Sequence, residues 1–141
     1  MHSILLKIKI EAPPDTLYSA LTTPAGLSSW WTRAEQAGES VQFFFGPDGD
    51  HRVTMRVVSS VPGQEVRWQC IEGPWVETGA FVFSIENSKG CVYLDFAHHG
   101  WQETDNFYKH CNAKWGFFLV MSLKRYLETS TGLPHPNDPS I

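Results

Sequence analysis

Hydrophobic and polar positions alternate through the middle of this 141-residue chain. Between residues 34 and 99, runs rich in valine, phenylalanine and tryptophan are separated by glycine, proline, asparagine and aspartate. Alternation with a period of two predicts strands with one buried face, and short turns between them predict antiparallel pairing. We expect at least five strands here, including VQFFFG (41–46), HRVTMRVVSS (51–60), EVRWQCI (65–71), VETGAFVFSIE (76–86) and CVYLDFAHH (91–99).

Both ends of the chain carry other periodicities. Residues 4–11, ILLKIKIE, alternate as a half-buried strand that Pro13 ends. Two prolines, Pro14 and Pro24, are then placed to begin two short helices, the second of which leads to the pair Trp30-Trp31. Between residues 104 and 129 a stripe at helical spacing is predicted to pack against the sheet, and Gly132 and Pro134 then end the helix. The stripe consists of Phe107, Cys111, Trp115, Phe118/Leu119, Ser122, Leu123 and Tyr126. A helix over 104–129 would be about 39 Å long, enough to cross a small sheet.

The alternation also assigns faces to the strands. Four sets are predicted to face the core: Val53, Met55 and Val57; Val66, Trp68 and Cys70; Phe81, Phe83 and Ile85; and Val92, Leu94, Phe96 and His98. The intervening positions are more polar, as expected for a sheet with one wet face. The sequence therefore predicts an α+β protein, with an antiparallel sheet, two short helices after the first strand and one long C-terminal helix.

Composition and charge exclude several classes of protein. The formal net charge is -4 and there is no extended cluster of lysine and arginine, so binding to nucleic acid is not expected. Three cysteines, far apart, indicate a reducing compartment, and we expect a cytoplasmic protein. We expect no export signal and no membrane span. The length predicts one domain over residues 1–141.

Three segments together resemble one known family. They are LTTPAGLSSWWT (21–32), LDFAHHGW (94–101) and KWGFFLVMSLKRYLETSTG (114–132). With the order of elements, they are similar to the family named for the activator of the 90-kDa heat-shock chaperone's ATPase, in the START-like (SRPBCC, Bet v 1-like) superfamily. The resemblance spans essentially the whole chain. It implies a helix-grip fold, in which a curved sheet wraps around the terminal helix and a cavity between them holds an apolar ligand in many relatives.

The aromatic content, 13% of residues, supplies candidates for the wall of such a cavity. The predicted ligand-binding residues are Trp31, Met55, Trp68, Phe81, Phe83, Phe96, His98, Trp101, Phe107, Cys111, Trp115, Phe118 and Ser122. Trp75 belongs to the same set of aromatic rings that could line the pocket. The alternative is that these rings close the cavity and form a packed core. Of the adjacent tryptophans, we expect Trp30 to anchor the second helix and Trp31 to reach the mouth of the cavity, the alternative being that both fill the core.

His98 is the polar residue that alternation places among the apolar core positions. A neutral imidazole offers one donor and one acceptor and could orient a ligand's carbonyl or hydroxyl group. The alternative is a structural histidine, hydrogen-bonded to backbone at the end of a strand. A metal site from His98, His110 and Cys111 is not expected, because adjacent helical side chains diverge by about 100°. No metal or other cofactor is predicted.

Three functions remain open. The first is a non-enzymatic domain that binds a small apolar or aromatic molecule, with a stress-related role. The second is a module that contacts a chaperone through its surface, as the family name implies. The third is a cyclase- or hydrolase-like enzyme, which we do not expect because no catalytic pair of carboxylates is visible in the predicted cavity. The sequence does not determine the oligomeric state.

Overall fold

The chain forms seven strands and a long, interrupted C-terminal helix. The structure, a computed structural model, describes residues 1–141. Its elements are β1 (His2–Ile10), α1 (Pro14–Thr22), α2 (Pro24–Trp30), β2 (Ala34–Ala37), β3 (Ser40–Phe45), β4 (His51–Val61), β5 (Glu65–Glu72), β6 (Phe81–Ser88), β7 (Cys91–Trp101), α3 (Asn106–Gly116), a π-helical segment (Phe117–Leu123) and α4 (Lys124–Thr129). No helix is both long and apolar enough to cross a membrane.

All seven strands form one antiparallel sheet in the order β1-β7-β6-β5-β4-β3-β2. Every connection except the one from β1 joins neighbouring strands, as expected from the short turns in the sequence. The two short helices α1 and α2 lie between β1 and β2 and carry the chain from one edge of the sheet to the other. This curved sheet with its terminal helix is the helix-grip fold, and the α+β prediction is confirmed.

The terminal helix begins at the N-cap residue Asp105, whose side chain accepts a hydrogen bond from the backbone N–H of Tyr108 at 2.9 Å. Its buried side chains, Cys111, Trp115, Phe118, Leu119, Ser122 and Leu123, follow the predicted stripe. The helix ends at Thr129, and Ser130 adopts a left-handed conformation with φ of 68°. Helix ends commonly use this backbone conformation, so the helix stops before Gly132.

The predicted core faces of the strands are confirmed. Val53, Met55, Val66, Trp68, Cys70, Phe81, Phe83, Val92, Leu94, Phe96 and His98 are all buried, and Val57 and Ile85 pack partly buried against them. Alternation works here because one face of the sheet is covered by the helix and the other faces solvent.

One predicted strand is shorter than expected. VETGAFVFSIE was expected to be extended from Val76, but β6 begins at Phe81. Residues 73–80 instead form a loop that lies against the end of β7, with hydrogen bonds from Gly79 N–H to His99 O (2.9 Å) and from His99 N–H to Ala80 O (3.0 Å). A Cβ on Gly100 would lie 2.3 Å from the Gly79 nitrogen. Glycine is therefore required at this crossing, because any side chain would separate the two backbones.

Candidate functional site

A cavity of about 320 Å³ lies between the terminal helix and the side chains that face its first half. Its wall is formed by Trp31, Phe45, Trp75, Phe107, His110, Cys111, Lys114, Trp115, Phe118, His135 and Asp138. Phe107, which is 40% exposed, and the exposed His110 mark the side open to solvent. A volume of this size is at the lower end of the range for small-molecule sites, which is roughly 300–1,000 Å³.

The two adjacent tryptophans have different roles. Trp30 is fully buried beneath α2, and its indole N–H donates to the carbonyl of Ala20 at 2.9 Å. Trp31 follows the end of α2 and lies on the cavity wall, with its ring centroid 4.4 Å from that of Phe43 and 5.0 Å from that of Trp115. Trp30 is the anchor that the sequence predicted, whereas Trp31 is only 2% exposed and lies on the inner wall of the cavity and not at its mouth. Consecutive residues at a helix end point in different directions, which allows this division.

The C-terminal tail, residues 130–141, closes one side of the cavity. Ser122 Oγ donates to Trp30 O at 2.6 Å and accepts from the backbone N–H of Leu133 at 2.8 Å. Two residues later, the N–H of His135 donates to Trp31 O at 2.7 Å. Ser122 therefore fastens the tail to the helix and to α2, and it does not lie on the cavity wall as predicted.

A polar cluster joins the tail to the helix at the cavity wall. The Lys114 ammonium donates to Asp138 Oδ2 at 2.6 Å, and His135 Nδ1 lies 2.8 Å from Asp138 Oδ1. Burial by itself raises the pKa of Asp138, but the hydrogen bonds from Lys114 and His135 outweigh it and hold that pKa below its ordinary value. The only carboxylate on the cavity wall is therefore ionised and already paired.

His98 is fully buried but does not lie on the cavity wall. The indole N–H of Trp101 donates to its Nδ1 at 3.2 Å, so Nε2 carries the proton and donates to Thr78 Oγ1 at 2.7 Å. Thr78 Oγ1 in turn donates to the carbonyl of Trp75 at 2.8 Å. Because both ring nitrogens are hydrogen-bonded within the protein, His98 has no free donor or acceptor for a ligand. It instead positions the loop that carries Trp75.

Burial strongly favours the neutral form of His98. It lowers the pKa of this imidazole to about 3, and the neighbouring His99 contributes to the same shift. The ring also lies flat against Phe81, with centroids 3.6 Å apart. An imidazolium would need a second N–H where the Trp101 N–H already donates, so the neutral ring is the form that fits.

Cys111 and Trp75 meet on the inner wall of the cavity. Burial raises the pKa of the Cys111 thiol to about 11, an effect that the adjacent Trp75 indole partly offsets. The thiol is therefore protonated at neutral pH and presents no charge to the cavity. The indole N–H of Trp75 is buried and has no oxygen or nitrogen acceptor, and the weakly accepting sulfur of Cys111 is the group beside it.

The structure brings five of the thirteen predicted residues to the cavity: Trp31, Phe107, Cys111, Trp115 and Phe118. The other eight, Met55, Trp68, Phe81, Phe83, Phe96, His98, Trp101 and Ser122, are buried where side chains pack against one another. Aromatic contacts explain the difference, since the Trp68 and Phe83 rings lie 4.7 Å apart and the Phe96 and Trp115 rings 4.5 Å apart. The helix covers the centre of the sheet, and this cavity lies on the side of the tail.

Trp75, one of the candidate rings, also lies on the wall, and sequence reasoning missed five wall residues: Phe45, His110, Lys114, His135 and Asp138. The alternation of VQFFFG places Phe43 and Phe45 on one face, which is a signal that could have identified Phe45. No comparable signal exists for His135 and Asp138, because they follow the last helix in a segment without periodicity. Their place depends on how the tail folds back.

Known proteins of similar sequence and structure agree with this architecture. The family model described as "Activator of Hsp90 ATPase homolog 1-like protein" matches residues 11–128. The solution structure of the Aha1 dimer from Colwellia psychrerythraea is 33% identical, covers 94% of this chain and 100% of that chain, and has a TM-score of 0.83. No curated protein matches the sequence significantly.

More distant structures share the fold alone. A crystal structure from Staphylococcus saprophyticus is 15% identical, covers 93% of this chain and 95% of that chain, and has a TM-score of 0.75. One from Mesorhizobium loti is 17% identical, covers 84% of this chain and 91% of that chain, and has a TM-score of 0.68. The chain therefore belongs to the family of Activator of Hsp90 ATPase homolog 1-like proteins, within the START-like superfamily.

Proposed function

We propose that this protein binds a small apolar or aromatic molecule in the cavity beneath the first half of its terminal helix. The observation that carries the proposal is the wall itself. Six of its eleven residues are aromatic rings of tryptophan or phenylalanine, namely Trp31, Phe45, Trp75, Phe107, Trp115 and Phe118. Ligand sites are typically concave, mostly apolar and supplied with a few polar groups, as this cavity is.

The wall is preorganised by contacts outside the cavity. Trp31 packs between Phe43 and Trp115, and Trp115 in turn contacts Phe96. Rings held by neighbours on their far side lose little conformational freedom when a ligand arrives, which favours binding. The Lys114–Asp138 ion pair and Ser122 hold the tail side in the same way.

A calorimetric titration with two-ring aromatic probes such as 1-ethylnaphthalene tests the proposal. We expect saturable binding at one site per chain. Cys111→Phe should abolish it by occupying the cavity, and the milder Cys111→Leu should weaken it. The matched control is Met121→Phe, which adds a ring at a position of the same helix that is 52% exposed. Absence of saturable binding by every probe, or equal binding to the Cys111→Phe protein, would contradict the proposal.

The family match supports a second candidate, contact with a chaperone through the protein surface as part of a stress response. An assay of the ATPase of a 90-kDa heat-shock chaperone, with and without this protein, tests it. The parent protein should stimulate the ATPase. If Cys111→Phe stimulates it equally but no longer binds the probes, the surface acts independently of the cavity. Without stimulation by the folded parent protein, this candidate is rejected.

A further inference from the structure

We propose that the ligand of this cavity is a small aromatic acid, whose anionic head group lies beside Lys114 and His135 at the tail side of the wall. The apolar body of the ligand then lies against the inner wall, to which Cys111 and Trp115 belong. The inference rests on the proposed function and specifies the chemistry of the bound molecule. It is carried by the separation of polar from apolar groups on the wall and by the charge of the polar groups.

The terminal helix presents polar and apolar residues on opposite sides of one face. Successive residues of an α-helix are about 100° apart. Counted from Phe107, His110 and Lys114 lie roughly 60° and 20° to one side. Cys111 and Trp115 lie roughly 40° and 80° to the other side. All five line the cavity, so a ligand on this face meets basic groups along one edge and apolar groups along the other.

The polar edge carries an excess of positive charge. Three basic residues, His110, Lys114 and His135, share the wall with a single carboxylate, that of Asp138. Both nitrogens of His135 face acceptors, since Nδ1 lies 2.8 Å from Asp138 Oδ1 and Nε2 lies 3.3 Å from Gly46 O. A ring that donates to both is an imidazolium. Two cations, Lys114 and His135, are then bonded to one anion, which leaves one positive charge unbalanced.

A head group at this edge keeps part of its water. The side chains of Lys114 and His135 are 18% and 23% exposed, and the exposed His110 marks the open side of the cavity. Partial hydration lowers the free energy of desolvating a charged head group, and reduced contact with water strengthens its attraction to the cations. A carboxylate therefore completes the charge balance, whereas an ammonium group would add a third positive charge.

Three probes of similar size test this chemistry by calorimetry: 1-naphthoate, the neutral 1-naphthamide, and 1-naphthylmethylammonium. At low salt we expect 1-naphthoate to bind about tenfold more tightly than 1-naphthamide, the scale of one charge-assisted hydrogen bond, and the ammonium probe to bind least tightly. Added salt should reduce this preference, because it screens partly exposed charges. Equal binding of 1-naphthoate and 1-naphthamide, or tightest binding of the ammonium probe, would overturn the inference.

Two variants should change the ratio of the two affinities in opposite directions. Lys114→Gln removes a positive charge, so the preference for 1-naphthoate over 1-naphthamide should disappear. Asp138→Asn removes the negative charge, so the preference should increase by about threefold. Either change also loosens the tail, but this affects both probes alike and cancels in the ratio. If both variants shift the ratio in the same direction, or neither shifts it, the assignment of the head group to this edge is wrong.

The matched control is Lys109→Gln, which removes the same charge from the same helix. Lys109 is exposed and does not lie on the cavity wall, so the ratio should stay as in the parent. A change as large as that in Lys114→Gln would show an effect of overall charge and overturn the inference. If no probe binds, 1-ethylnaphthalene included, the proposed function itself fails. If 1-ethylnaphthalene binds and 1-naphthoate is not preferred over 1-naphthamide, only the inference about the acid fails.

Discussion

The two halves of the interface between helix and sheet are built from the same residue types, but one half is closely packed and the other encloses a cavity. In the packed half, around Phe43, Met55, Trp68, Phe83 and Leu94, the side chains are buried against one another, and none of these five lies on the cavity wall. In the cavity half, around Trp31, Trp75, Cys111 and Phe118, aromatic rings of equal size surround about 320 Å³ of space.

The difference lies in what faces the helix. In the packed half, adjacent strands present side chains at regular spacing, and rings from neighbouring strands interdigitate. In the cavity half, the helix faces the loop 73–80 and the tail 130–141, which meet it through single residues such as Trp75 and Asp138. A loop or a tail has no regular side-chain spacing, so fewer of its side chains meet the helix and space is left between them. The contrast teaches that aromatic content alone does not distinguish a core from a binding site.

Removing one ring from each half should show this difference directly. Phe43 and Phe45 lie two residues apart on β3, and only Phe45 lies on the cavity wall. Phe43→Ala should lower the free energy of unfolding by about 3–5 kcal/mol, since it empties a packed site. Phe45→Ala should cost only about 1–2 kcal/mol, because Phe45 is half-buried. If chemical denaturation shows the same loss of unfolding free energy in both variants, the distinction between a packed half and a cavity half is contradicted.

Lowering the pH should reduce the free energy of unfolding through His98, which is buried among packed side chains. Its pKa is about 3 when folded and about 6.5 when unfolded, so the stability conferred by the neutral ring is complete above pH 6.5 and is lost as the pH falls towards 3. At pH 5, about 1.5 pH units below the unfolded pKa, the loss is about 2 kcal/mol. Denaturation at pH 7 and pH 5 should show this loss in the parent and not in His98→Gln.

The control for this experiment is His99→Gln, which removes the adjacent histidine. His99 is exposed, and its ring is bonded only to Ser3 Oγ. That variant should keep most of the pH dependence of the parent. If His98→Gln and His99→Gln respond to pH alike, the depressed pKa of His98 does not govern acid stability.

The tail side depends on Ser122, which joins Trp30 O and the Leu133 N–H. Ser122→Ala should lower the free energy of unfolding by about 1–2 kcal/mol, because two buried backbone groups lose their partner. Hydrogen exchange at the Leu133 amide should also become faster. Ser29→Ala, which removes an exposed bond to Ala25 O within α2, is the control and should leave Leu133 protected. An unchanged Leu133 amide in Ser122→Ala would contradict this role.

The smallest effect is expected at the polar cluster on the cavity wall. Asp138→Asn keeps the shape of the side chain and removes its charge, so the tail loses part of its attraction to Lys114. We expect about 1 kcal/mol of destabilisation, since charged hydrogen bonds near a chain end are partly replaced by water. Faster dissociation of a bound probe should accompany it. Asp48→Asn, in an exposed turn, is the control and should change neither quantity.

Much of the fold follows from regular patterns in the sequence. The alternating runs predicted the strands and their buried faces, and the helical stripe predicted Trp115, Leu119 and Ser122 as buried. The strand over 76–86 was predicted too long, because a loop held by hydrogen bonds to His99 has no periodicity to distinguish it from an extended strand. The candidate site was predicted only in part, since facing the core and facing a cavity require the same apolar residues.

The sequence by itself determined the order of elements, the buried faces, the role of Trp30 as an anchor, and the family. These depend on local spacing, because side-chain direction follows from helix and strand geometry. Only the tertiary structure decided where the interior stays open, that His98 is bonded to Thr78 and Trp101, and that His135 and Asp138 reach the cavity. These features depend on packing between residues far apart in the chain, and no local pattern encodes the space that packing leaves unfilled.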